Sequence, residues 1–400
     1  MVVASSGELF DRILSPEGDP DTLQRLAWHR SALRLNILLT YHREQPGNEL
    51  FYLLSQLEIL PPDVRHRVLA APETALYVNA LVNNRVPSAH IAVPLLSRLF
   101  LASPASASHE FSWSGELPLN YLPLGPHVLR MPGIKIKDPQ LLLDGRCIKL
   151  SSTSGGITIT LPFEVNEEIS QNWSVRADKL EIVDGWEPFC DDFDDGNMSI
   201  NLDPSARGTL EGLIQEAATL IKTALPSALE EMLETAQYLS PIRPKDARTL
   251  ELPSFSSSAL PGVIFIGIQQ GNGAWTDARH LAESCVHEHL HNRLYILDEA
   301  MPLAIHTAEP QLYFSPWKRT MRGIDGMLHA IYVFSHLAWF WRRVGAKLPE
   351  LQKYADRCVE QQVEHLESAA DTLDTNELTE AGRRVLQAST KILHTLTVKA

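Results

Sequence analysis

Val286-His287-Glu288-His289-Leu290-His291-Asn292 sets two histidines four residues apart, and whether this stretch is helical decides how the rest of the chain is organised. On an α-helix, with about 3.6 residues per turn, His287 and His291 stack on one face and Glu288 lies beside them. Two imidazoles can then meet one metal ion, which makes H-E-x-x-H a metal-site pattern with a geometric reason behind it. The flanking sequence supplies the helix. Thr276 and Asp277 are N-cap residues after Gly271-Asn272-Gly273, and Leu281, Cys285, Leu290, Leu294 and Leu297 keep a three-to-four-residue apolar spacing. The spacing predicts a helix over 277–298. Val263-Ile264-Phe265-Ile266-Gly267-Ile268, after Pro261-Gly262, reads as a short strand, so the order is strand, loop, metal helix. His289 faces elsewhere on the helix and is read as a hydrogen-bonding or surface residue.

Two helix histidines leave a coordination sphere open, so a third ligand should follow. A metzincin would need Gly where Leu294 stands and His where Leu297 stands, which excludes that subclass. Glu299 follows too closely to fold back, and Glu309 lies in a loop between Ala308 and Pro310. His329 is the better candidate, within an apolar helix expected over 324–343. His336 lies one heptad further on the same face. For either histidine, the competing reading is a hydrogen-bonded core residue.

A resemblance bears on that choice. The metal motif, then Tyr313-Phe314-Ser315-Pro316-Trp317-Lys318, then Arg322, then Gly326-Met327-Leu328-His329-Ala330-Ile331-Tyr332 resemble, in order and spacing, the H-E-x-x-H peptide-modification proteins of ribosomal peptide natural-product pathways. The likeness covers the region from the metal helix to the following long helix and leaves the first 250 residues unaligned. It implies iron(II)- and 2-oxoglutarate-dependent hydroxylation of a peptide side chain, typically at the β-carbon. Carried over by position, the resemblance makes His287, His291 and His329 the metal ligands. Arg322 would be the guanidinium that forks onto the far carboxylate of 2-oxoglutarate, and Lys318 a supporting point charge. Three histidines would depart from the usual two-His, one-carboxylate iron site. The implied partners are a precursor peptide and a second peptide-modifying enzyme.

The same residues also suit a zinc metallopeptidase, in which zinc acidifies a bound water and Glu288 is the general base. In the oxygenase Glu288 takes an orienting role. Arg322 separates the two readings, because a 2-oxo diacid needs a cation at the far end of its pocket and a peptidase does not. The competing reading for Arg322 is a salt bridge at the start of the next helix. A third possibility is an inactive peptide-binding module that keeps the motif as structure.

Composition bounds the rest. At 400 residues and 44% hydrophobic, the chain can bury a large core. A net charge of -14 leaves no basic face for nucleic acid. Cys147, Cys190, Cys285 and Cys358 form no C-x-x-C pair and read as reduced, mostly buried thiols. The first residues lack a basic-then-apolar leader pattern, and apolar runs such as Ile37-Leu38-Leu39 are too short for a bilayer, so the expected location is cytoplasmic, with no membrane partner.

Texture along the chain suggests an α+β, mostly helical protein in three parts: a helical region over 1–115, an antiparallel β-rich region over 116–205, and a helical metal-binding domain with a zincin-like helix over 206–400. Residues 20–104 carry helical spacing broken by Pro61-Pro62, Pro72 and Pro87, and 103–114 reads as a Ser/Ala linker. Ile134-Lys135-Ile136-Lys137, Ile148-Lys149-Leu150, Ile157-Thr158-Ile159-Thr160-Leu161 and Leu180-Glu181-Ile182-Val183 alternate as antiparallel strands. Asp191-Asp192-Phe193-Asp194-Asp195-Gly196 fails the EF-hand pattern at Phe193 and Leu202 and reads as a solvated acidic turn. Residues 206–239 read as helix broken at Pro226 and closed by Pro241 and Pro244. Two amphipathic helices, over 350–371 and 377–397, finish the chain. A peptide substrate held extended could add to an exposed strand edge near the metal helix.

Overall fold

In the computed structural model the described residues are 6–43, most of 53–162, 181–184, 197–306 except 237, and 310–398 except 371. The expected acidic turn at 191–196, together with Cys190 and Glu309, falls outside them. The protein is mixed α+β and mostly helical. Its N-terminal part carries α1 (Ser6–Ile13), α2 (Pro20–Arg43), α3 (Pro62–Ala70), α4 (Pro72–Val82) and α5 (Ala89–Ala102). Pro62 and Pro72 open α3 and α4, a position where the missing N–H costs nothing and the fixed φ suits the helix.

A four-stranded antiparallel sheet follows, in the order β1-β6-β7-β8 (His109–Ser112, Pro139–Asp144, Cys147–Ser152, Thr158–Pro162). Two small antiparallel pairs accompany it: β2 (Glu116–Pro118) with β5 (Lys135–Lys137), and β3 (Leu122–Leu124) with β4 (His127–Leu129). β1 lies inside the stretch expected to be a linker. Its residues pair across to Leu141, Leu142 and Leu143 of β6, a long-range partnership that Ser/Ala composition does not reveal. The leucine and isoleucine face of this sheet packs on α4 and α5 to make one core.

A second, mixed sheet positions the site. Its order is β10-β11-β13-β12, with β9 (Glu181–Ile182) also on β11. Here β10 is Asn197–Ser199, β11 Tyr238–Pro244, β12 Ser254–Phe255 and β13 Val263–Gly267. Two expectations change. β9 runs parallel to β11, not antiparallel, because alternation sets which face a strand buries but not which way its partner runs. The prolines expected to close a helix lie inside β11. Pro241 has no N–H to give the ladder, yet its carbonyl still accepts from the Ile200 N–H. The helix ends earlier, as α6 (Pro204–Ala224) and α7 (Pro226–Thr235), with the break at Pro226 where it was expected.

β13 is buried along its whole length. Ile264 and Ile266 enter the main core, while Val263 and Phe265 face the other way into a smaller cluster with Tyr238 and Ile242. That two-sided burial explains its unbroken apolar run. Against the first face lie α8 (Ala278–Ala300), then α9 (Ile324–Lys347), α10 (Gln352–Ala370) and α11 (Glu380–Val398). Between α8 and α9 sits a hairpin, β14 (Tyr313–Ser315) paired with β15 (Thr320–Arg322). Among the described residues no helix is long and apolar enough to cross a membrane, and Cys147, Cys285 and Cys358 are unpaired.

Candidate metal centre

The metal helix is α8, and Asp277 caps it by accepting from the Arg279 and His280 N–H groups at 2.9 and 3.0 Å. Cys285, Val286, Leu290 and Leu294 seat the helix in the core and leave His287 and His291 half-buried on the opposite stripe. Their Nε2 atoms lie 3.2 Å apart. Two imidazole donors on one first-row ion, each at about 2.1 Å, stand roughly 3 to 3.4 Å apart, so this pair fits a metal as it stands. Counting one ligand atom per residue, His287, Glu288 and His291 lie within 4.8 Å of one another, the arrangement of a group able to hold a metal ion.

α9 brings His329 against the far side of His291, outside the group that His287, Glu288 and His291 form. Its Nδ1 is 3.0 Å from Nδ1 of His291, the nitrogen facing away from His287. The three rings therefore form a chain with His291 in the middle, one nitrogen of each adjacent pair donating and the other accepting. A neutral ring has one N–H to give, so two such links are satisfied with all three uncharged. Burial pushes His287 and His329 down to about 4, helped by Lys318 in the first case and Arg322 in the second. His291 is held well below its ordinary value by burial, the two neighbouring rings, Arg322 and Lys318. Neutral imidazoles are the ligating form, and the donor set fits a divalent transition metal.

His336, the other candidate, points away. Its Nδ1 lies 2.8 Å from the Tyr332 carbonyl and its Nε2 3.2 Å from the Leu14 carbonyl, as a core histidine would. His289 is buried and meets Glu231 at 3.1 Å.

Glu288 is fixed from β12 and the residue after it. Ser254 Oγ donates to Oε1 and Ser256 Oγ to Oε2, each at 2.8 Å. Burial pushes the carboxyl up to about 7, while the two serines and Lys318 pull the other way. Tyr295 Oη donates to the Ser256 carbonyl at 3.3 Å and so ties the serine segment to α8. The sequence reading missed Ser254 and Ser256. Their spacing in Ser254-Phe255-Ser256 puts both hydroxyls on one side of an extended segment, which was the available signal.

An aromatic wall closes the group. Phe334 meets the His287 ring edge-on at 5.2 Å, and Trp317 stacks on Phe334 at 4.7 Å. Tyr295 lies 5.2 Å from the His329 ring. Trp317 Nε1 donates to Gln362 Oε1 at 2.9 Å, which anchors the hairpin loop to α10.

Lys318 and Arg322 stand on that hairpin, both exposed, and their charges reach the histidines as described. Arg322 packs over Gly326, where an added Cβ would meet its Nε at 3.0 Å. Neither side chain makes an ion pair among the described residues, so the salt-bridge reading of Arg322 finds no partner there. No family model matches the chain, and no curated protein is matched by it.

Proposed function

We propose that the protein is an iron(II)- and 2-oxoglutarate-dependent dioxygenase that hydroxylates a side chain, at its β-carbon, in a ribosomally made precursor peptide. The observation carrying this reading is Arg322: an exposed guanidinium without an acidic partner among the described residues, packed over Gly326 one turn before His329 on α9. A zinc peptidase has no use for it, whereas a dicarboxylate co-substrate needs a fork for its distal carboxylate. When bound, iron with 2-oxoglutarate supplies the oxidising power, the co-substrate leaving as succinate and CO2 while one atom of O2 enters a substrate C–H bond.

The chain's own residues do the rest. His287 and His291 offer neutral Nε2 atoms, and His329 on α9 is the third imidazole. His329 would serve as third ligand only with its ring turned out of the present contact, which uses the nitrogen of His291 that faces away from His287. Lys318 adds positive charge on the Arg322 side. Glu288, with an acceptor bond to a serine at each oxygen, orients the site, and Phe334, Trp317 and Tyr295 exclude water around the rings. Mass spectrometry tests the proposal. A candidate precursor peptide incubated with Fe(II), 2-oxoglutarate and O2 should gain one oxygen with matching succinate release, and Arg322→Gln should raise KM for 2-oxoglutarate.

A zinc metallopeptidase is the second reading, favoured by Glu288 standing within the group that His287 and His291 form. Its signature is a cut chain with Zn(II) and no co-substrate. An unchanged peptide under both conditions leaves the inactive binding module.

A further inference from the structure

We propose that the β14–β15 hairpin is the docking surface for an acidic peptide segment that also carries apolar side chains. The proposal rests on the site acting on a peptide. Phe314 and Met321 are cross-strand partners, so their side chains share one face of the hairpin. Both are 55% exposed, and Leu312, two residues before Phe314, is 54% exposed. Lys318 and Arg319, both exposed, stand at the turn beside this pair, while Arg322, paired with Tyr313, lies on the other face of the hairpin over Gly326.

The charges are out of keeping with the chain. Acidic residues outnumber basic ones, 49 to 35, yet neither Lys318 nor Arg319 meets a carboxylate among the described residues. A solvated basic run would account for the cations alone. It does not account for a phenylalanine and a methionine held out in water beside them, an arrangement typical of binding surfaces. An acidic, apolar-bearing strand matches both features.

The surface is also built to stay in place. The Arg319 N–H donates to the Ser315 carbonyl at 2.7 Å, closing the loop between the strands, and the Lys318 N–H donates to Ser315 Oγ at 3.4 Å. Tyr313 Oη donates to Glu377 at 2.9 Å, and Trp317 is held by Gln362 and Phe334. A platform ordered in advance loses little entropy when a peptide lands on it.

The test uses the full chain and fluorescence anisotropy with two labelled probes, a short peptide alternating Glu with Leu and its Lys-Leu counterpart. The Glu-Leu probe should bind, more weakly at high salt, and the Lys-Leu probe should not. The variant Phe314→Thr/Met321→Thr/Arg319→Gly should weaken the acidic probe about tenfold while metal content stays the same. Threonine keeps strand propensity, and glycine suits the positive φ of 53° at Arg319, so the variant should fold. Equal binding of both probes, or unchanged affinity in the variant, overturns the proposal. So does light scattering that finds dimers which the variant converts to monomers, since a second copy would then be the occupant. Probe binding without any oxygen gain on candidate peptides leaves the docking surface and removes the hydroxylase. Oxygen gain undiminished by the triple variant does the reverse.

Discussion

At the scale of single residues, the centre is decided by which nitrogen of His291 faces which neighbour. Nε2 faces His287 and Nδ1 faces His329, so His291 is the one ring in contact with both others. Replacing it by Ala should abolish metal binding, read by inductively coupled plasma mass spectrometry of the purified protein. His329→Ala should lower metal content, while His336→Ala should leave it intact and cost stability through lost core packing and the one N–H bond that the neutral ring gives to a carbonyl, of Tyr332 or of Leu14. Full metal retention in His329→Ala would remove it as a ligand. Glu288 is similarly exact in its partners. Ser254→Ala with Ser256→Ala strips both carboxylate oxygens of their donors, and each loss should cost about 1–3 kcal/mol in a denaturant titration. A double variant as stable as the parent would show that the serines do not hold the carboxylate.

At the scale of elements, what sequence revealed depended on how local the cause was. The metal helix was legible because cap, apolar stripe and motif lie within one stretch, and the structure places it at Ala278–Ala300 beside the anticipated strand. β11 was not, since Pro241 and Pro244 argue against a strand until a partner supplies the compensating bonds from outside. The direction of β9 and the pairing of β1 with β6 are likewise set by residues far along the chain. At the site, His287, Glu288 and His291 could be read directly; Ser254 and Ser256 could not, because nothing local ties a two-residue strand to a helix thirty positions on. One glycine shows how that strand is held. The Gly267 N–H donates to the Pro253 carbonyl at 2.6 Å, and a Cβ on Gly267 would meet that same oxygen at 2.6 Å. Gly267→Ala should therefore push Pro253 and β12 outward and lower stability by about 1–3 kcal/mol. Hydrogen exchange at residues 254–256 should rise in the variant, and unchanged protection would show that the approach can be relieved elsewhere.

At the scale of the whole molecule, the metal helix is tied to two distant parts of the chain through one buried carboxylate. Glu231 on α7 accepts from Arg293 and lies 3.1 Å from Nε2 of His289, both on α8, and also accepts from the Asp19 N–H. Arg293 in turn donates to the Ile13 carbonyl and to Tyr332 Oη at 3.2 and 3.0 Å. Gly18 lets the N-terminal segment come this close, for it adopts φ 82° and a Cβ there would lie 3.0 Å from Glu231 Oε1. Burial alone would raise the Glu231 pKa, but Arg293, His289 and the Asp19 N–H outweigh it and hold the group down at about 2, from an ordinary 4.5. A depressed carboxyl stabilises the fold fully above its unfolded pKa, and that contribution is lost as pH falls through the folded one. The folded state should therefore weaken between about pH 4.5 and about 2, and Glu231→Gln should flatten that part of the profile. At neutral pH the same variant leaves Arg293 as an uncompensated buried cation and should cost about 3–5 kcal/mol. Adding Arg293→Met removes the stranded charge and should restore much of the loss, because an apolar pair of similar volume needs no counter-ion. Urea unfolding across pH for the parent, the single and the double variant reads all three effects. If the double variant is no more stable than Glu231→Gln, then the penalty lies in the lost tie to Asp19 and the N-terminal segment rather than in the stranded guanidinium.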